Sequence, residues 1–76
     1  MKKQDLAKKL NEKNIRVDSF SLEGGLPNEA YCLNKTKDCW EVYYSERGRK
    51  TGLKKFTNES DACQYLYEVL VDQFTS

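Results

Sequence analysis

Three cysteines, Cys32, Cys39 and Cys63, are the only thiols in the chain, and there is no histidine. A cysteine nucleophile usually needs a histidine partner, and histidine is also the commonest general base and metal ligand. A structural zinc site takes four ligands, commonly in Cys-x-x-Cys pairs, and the three cysteines show no such spacing. Glu41 and Glu46, read as paired carboxylates, stand five residues apart on a strand and so point to opposite faces. Gly24-Gly25-Leu26-Pro27-Asn28 is rich in glycine. A phosphate loop, however, continues into Lys-Ser/Thr and a helix, whereas Pro27-Asn28-Glu29 leads into a strand. The chain is therefore expected not to be an enzyme, and to need no cofactor, metal or small-molecule substrate.

The residue types that remain are suited to binding. Tyr31, Trp40, Tyr43 and Tyr44 cluster on one hairpin. Tyrosine and tryptophan bring large rigid area with a hydrogen-bonding tip, which enriches them at interface hot spots. The second cluster is Arg47, Arg49, Lys50, Lys54 and Lys55. With aromatics beside it, such a turn can bind single-stranded nucleic acid through phosphate contacts and stacking. That is the alternative reading, a weak nucleic-acid module using Arg47 to Lys55. It is disfavoured because Glu41 and Glu46 interrupt the patch and the net charge is only +1. Charge alternates along the chain: +4 over 1–16, −3 over 17–34, +4 over 35–55 and −4 over 56–76. Such alternation suits complementary packing within the fold.

These residues need elements to position them. Residues 2–13 read as a helix with Leu6, Ala7 and Leu10 on one face and Asn14 as its C-cap. A short strand is expected at 17–23, where Phe20 and Leu22 alternate with polar residues. The only proline and half of the glycines then mark a loop at 24–28. Strands follow at Glu29–Asn34 and Cys39–Glu46 as a β-hairpin, on which Cys32 and Cys39 can face each other. A turn at 47–52 precedes a short lysine-bearing strand, Leu53–Phe56. The last helix is capped by Thr57 or Asn58 and presents Ala62, Leu66, Val69, Leu70 and Phe74 as one stripe. The expected fold is α+β, one domain over 1–76 in the order α-β-β-β-β-α. It is a two-layer sandwich: an antiparallel four-stranded meander with the N- and C-terminal helices on one face.

At 76 residues and 38% hydrophobic, the chain has too little apolar material for a membrane span and too much for a disordered chain. Folding buries only about 60% of the unfolded surface at this size, which leaves little volume for an enclosed active site. An odd cysteine count and a charged opening, Met1-Lys2-Lys3-Gln4-Asp5, point to free thiols in the cytoplasm.

Strand alternation fixes the site expectation. Trp40, Val42 and Tyr44 share one face, and Glu41, Tyr43 and Ser45 share the other. If both helices cover the first face, Tyr43 is exposed on the second. The expected binding residues are Glu41, Tyr43, Glu46 and Arg47, with Glu29 from the neighbouring strand.

Two words in the sequence carry a resemblance: Ser21-Leu22-Glu23-Gly24-Gly25-Leu26-Pro27-Asn28-Glu29-Ala30-Tyr31-Cys32-Leu33 and Trp40-Glu41-Val42-Tyr43-Tyr44-Ser45-Glu46-Arg47-Gly48. With Lys50, Leu53-Lys54-Lys55-Phe56, Ala62-Cys63 and Tyr65, they resemble small immunity proteins of bacterial polymorphic-toxin systems. The resemblance spans roughly residues 15–70 and implies a mostly β, α-flanked fold. It also implies a cytoplasmic protein that binds and neutralises a cognate protein toxin. It implies no catalytic residue.

Overall fold

The computed structural model describes residues 1–75. Its elements are α1 (Lys3–Glu12), one 3₁₀ turn (Val17–Ser19), β1 (Phe20–Ser21), β2 (Ala30–Lys35), β3 (Trp40–Glu46), β4 (Arg49–Phe56) and α2 (Glu59–Thr75). The protein is α+β, with two helices flanking four strands in the expected order. Ser76, within the expected domain span, lies outside the described residues.

Local chemistry sets both helices. Asn14 takes a left-handed φ of 60°. Its N–H donates to the Asn11 carbonyl, and the Ile15 N–H donates to the Leu10 carbonyl, each at 3.0 Å. These two bonds close α1 as a Schellman motif. At the start of α2, Asn58 Oδ1 accepts the Asp61 N–H at 2.8 Å, a side-chain N-cap. Leu6 and Leu10 of α1 are buried with Ala62, Cys63, Leu66 and Leu70 of α2, against Leu33 and Val42 of the sheet. Each fully buried leucine contributes roughly 1.5–3 kcal/mol. Three expected stripe positions fall outside this core: Ala7 is exposed, Val69 is half-buried, and Phe74 is 48% exposed.

The strands lie in the order β1-β2-β3-β4. β2–β3 and β3–β4 pair antiparallel, with Leu33 opposite Val42 and Cys32 opposite Tyr43. β1 does not. It runs parallel to β2, with Phe20 beside Tyr31 and Ser21 beside Cys32. The sheet is therefore mixed, and the expected antiparallel meander is corrected. The strand expected at 17–23 shrinks to two residues, because 17–19 coil into the 3₁₀ turn. Phe20 and Leu22 still pack against the core, as their alternation requires.

Parallel pairing has a geometric consequence. A chain leaving β1 must return to the start of β2, so it crosses a face of the sheet. That return usually takes a dozen or more residues and a helix. With β1 only two residues long, residues 22–29 suffice. The helices occupy one face, so this loop crosses the other. Ser21 Oγ donates to the Gly24 carbonyl at 2.9 Å. Gly24 is buried at φ +75°, and the Asn34 side chain fills the space where a Cβ would sit. Glycine is required there by backbone and by packing.

Two turns complete the sheet. Between β2 and β3, the Thr36 hydroxyl and N–H both donate to the Cys39 carbonyl, at 2.8 Å each. Cys39 thus sits in the turn, and Cys32 faces Tyr43 instead. The expected Cys32–Cys39 opposition is corrected, and all three thiols are free. Arg47 (φ 51°) and Gly48 (φ 75°) link β3 to β4. Positive φ at both positions of a two-residue hairpin defines a type I′ turn. β4 starts at Arg49 rather than Leu53, because Arg49, Lys50 and Thr51 already pair with Glu46, Ser45 and Tyr44. The register then slips between Val42 and Tyr44, so Gly52 and Leu53 together oppose Tyr43. This is a bulge with Gly52 at φ +61°.

Arg47 holds a conformation that favours asparagine or glycine in such turns. Arg47→Asn is expected to stabilise the fold by about 1 kcal/mol. Urea unfolding checks this: the midpoint should rise with an unchanged slope.

Candidate functional site

Alternation along β3 places Glu41, Tyr43 and Ser45 on one face, as expected, but that face is closed. Tyr43 is 1% exposed and Ser45 fully buried, along with Ala30 and Cys32 of β2. The Tyr43 hydroxyl donates to the Gly25 carbonyl at 2.7 Å and ties the 22–29 loop to the sheet. Lys50 Nζ lies 4.8 Å from the Tyr43 ring centroid and 3.7 Å from Glu41 Oε1. Asn34 Nδ2 donates to the same Glu41 oxygen at 3.3 Å. The Glu41 side chain retains 12% exposure. Tyr43 is therefore buried rather than exposed as expected, and Glu41 is nearly covered; their contacts tie the loop and β4 to the sheet. Burial, reinforced by Cys32 and Glu41, pushes Tyr43 up to about 12. Burial likewise raises the Cys32 and Cys63 thiols, which disfavours the reactive thiolate.

The open surface is on the helix side. A helix is about 10 Å across and strands are about 4.8 Å apart, so one helix covers roughly two strands. α2 buries its stripe over Leu33 of β2 and Val42 of β3. β4 overhangs, and Arg49 to Lys55 are all exposed. Between α2 and the β3–β4 hairpin runs a groove of about 330 Å³. Tyr31, Tyr44, Thr51, Gly52, Tyr65 and Val69 line it, together with Val42 and Tyr43 of β3. Its rings are braced by neighbours: Tyr31 and Tyr44 lie 4.8 Å apart between centroids, and Tyr65 lies 5.3 Å from Phe56.

Two further concavities each share a residue with the groove. Tyr44 also lines a concavity with Arg16, Asp18, Asn28, Glu29 and Phe74. Thr51 leads into another with Glu46, Arg47 and Arg49. Three of the five expected residues, Glu29, Glu46 and Arg47, thus stand around this surface. Burial first, then the Glu29 and Glu46 carboxylates, raise the Tyr44 hydroxyl above its ordinary value. Glu29 and Arg47 also hold left-handed backbones, φ 54° and 51°. Left-handed non-glycine residues cost stability and concentrate at binding and switch sites.

The binding residues expected from sequence leave out Tyr31, Tyr44, Tyr65, Thr51 and Val69, although Tyr31 and Tyr44 belong to the aromatic cluster singled out there. Tyr44 shares its face with Trp40 and Val42, so it reads as core. The signal that finds the groove is a width: one amphipathic stripe on α2 is too narrow to cover every strand.

Among the described residues, no three cysteines or carboxylates converge so as to hold a metal ion. None of their helices is long and apolar enough to cross a membrane. No protein-family model matches the sequence, and neither a curated protein nor a solved structure matches it.

The Tyr43 environment sets a pH dependence. Burial favours the neutral phenol in the fold, so this contribution is complete below pH 10. It is lost as pH rises from 10 to about 12, while the unfolded chain ionises first. Spectrophotometric titration of the folded protein should show one tyrosine ionising near 12, and Tyr43→Phe should remove that step. Full ionisation of all tyrosines close to pH 10 would contradict the buried anchor.

Proposed function

We propose that the chain is a protein-binding module that neutralises a cognate toxin domain by covering it, and that the tyrosine-lined groove is its hot spot. The observation that carries this is the open groove between α2 and the β3–β4 hairpin, where Tyr31, Tyr44 and Tyr65 stand half-exposed on a braced scaffold. Braced aromatics lose little rotamer freedom on docking, the usual property of interface anchors. Glu29, Glu46 and Arg47 form a charged rim, which favours orientation and partner choice. The sealed face between β2–β3 and the loop has no part in docking.

Size is compatible. A standard interface buries about 800 Å² on each partner. The protein exposes 5097 Å², and the groove adjoins two further concavities through Tyr44 and Thr51. The toxin assignment rests on the resemblance of residues 15–70 to immunity proteins, and a cytoplasmic setting on three free thiols.

The test is protection from the C-terminal domain of a large secreted protein encoded directly upstream. Wild-type protein should restore growth when co-expressed with that domain. Tyr44→Ala with Tyr65→Ala should weaken binding by about 2 kcal/mol or more and abolish protection, while Tyr43→Phe should leave both intact. Full protection by the double variant would overturn the groove as the docking site.

A further inference from the structure

The outer edge of β4 is unpaired. It is the last strand in the sheet order, so among the described residues no strand meets its outward N–H and C=O groups. The segment from Arg47 to Phe56 carries Arg47, Arg49, Lys50, Lys54 and Lys55 and no acid. Among the described residues, Lys50 alone of these cations stands at ion-pair distance from a carboxylate, Glu41 at 3.7 Å. The bulge at Gly52–Leu53 divides the cations between faces. By register, Arg49 lies with Glu46, and Lys54 with Val42, on the groove side, while Lys55 lies with Glu41 on the other. Leu53, 42% exposed, stands between them.

We infer that this edge binds an extended acidic segment of the partner protein as an added strand. Strand addition uses the free main-chain groups for affinity and the side chains for selectivity. The charges decide the occupant. A second copy of β4 would bring like charges together across the pair, which is destabilising. A segment with Asp or Glu at alternate positions meets Arg49 and Lys54 on one face. Acids at the intervening positions meet Lys55 on the other. Nucleic acid is disfavoured because it cannot match a strand's hydrogen-bond ladder, and because Glu29 and Glu46 flank the aromatic ring of Tyr44. The inference rests on the protein-binding reading but not on the groove: strand addition uses the outward main chain of β4, and of its cations Arg49 also lines a concavity beside the groove.

A random peptide library displayed on phage, panned on the whole chain, tests it. The wild type should enrich peptides with alternating Asp or Glu. A synthetic copy of the best one should bind at least about tenfold more weakly to the Arg49→Glu, Lys54→Glu, Lys55→Glu variant, and more weakly as salt rises. Amide exchange in the wild-type complex should slow across Arg49–Phe56, a readout that does not depend on the variant folding. The Tyr44→Ala, Tyr65→Ala variant should keep acidic-peptide binding, so loss of toxin protection there with retained peptide binding separates the two surfaces. Failure to enrich acidic peptides, equal binding by the charge-reversed variant, or tighter binding of oligo(dT) than of any acidic peptide would overturn the inference.

Discussion

Parallel pairing of β1 with β2 is the constraint on which the rest of the structure depends. A hairpin at that point would turn at the sheet's end and leave the second face bare. A parallel neighbour obliges the chain to travel back across the sheet. Residues 22–29 make that journey over the face the helices leave free. The loop then needs attachment, and Tyr43 supplies it through the Gly25 carbonyl at 2.7 Å. Gly24 lets the backbone lie close enough to Asn34 for the cover to seat. A two-residue strand thereby determines the environment of Ala30, Cys32, Tyr43 and Ser45.

Closure of that face moves the available surface to the helix side. There the limit is the breadth of a helix. α1 packs on α2, α2 covers the middle of the sheet, and β4 projects past it. The overhang exposes aromatic rings that strand alternation alone assigns to the core. It also leaves a cationic edge beside them. The protein thus has a rigid, closed half built from the loop and β2–β3, and an accessible half built from α2 and β4.

Much of the fold was legible in local sequence. Helix periodicity and capping residues located α1 and α2, and the Asn14 and Asn58 caps formed as their types dictate. The β2–β3 hairpin and the parity of Trp40, Val42 and Tyr44 were readable for the same reason: alternation and turn chemistry are short-range. The direction of β1 was not, because Phe20-Ser21 carries no signal of which way its neighbour runs. The start of β4 was hidden by the bulge, which breaks alternation just where it is needed. The site followed suit. Glu29, Glu46 and Arg47 lie at loop and turn positions whose exposure is a local property. Glu41 and Tyr43 depend on what crosses above them, a non-local property. Tyr44 and Tyr65 depend on how far α2 reaches.

The most direct test of this division into a sealed and an open half is solvent access at individual tyrosine rings. With tyrosine-labelled protein and a soluble gadolinium chelate, ring resonances broaden according to their approach to water. The fold described here predicts strong broadening of Tyr44 and clear broadening of Tyr65, with Tyr43 spared. Tyr43 broadening as strongly as Tyr44 would mean that the loop does not lie across the sheet, and would return the docking surface to the opposite face.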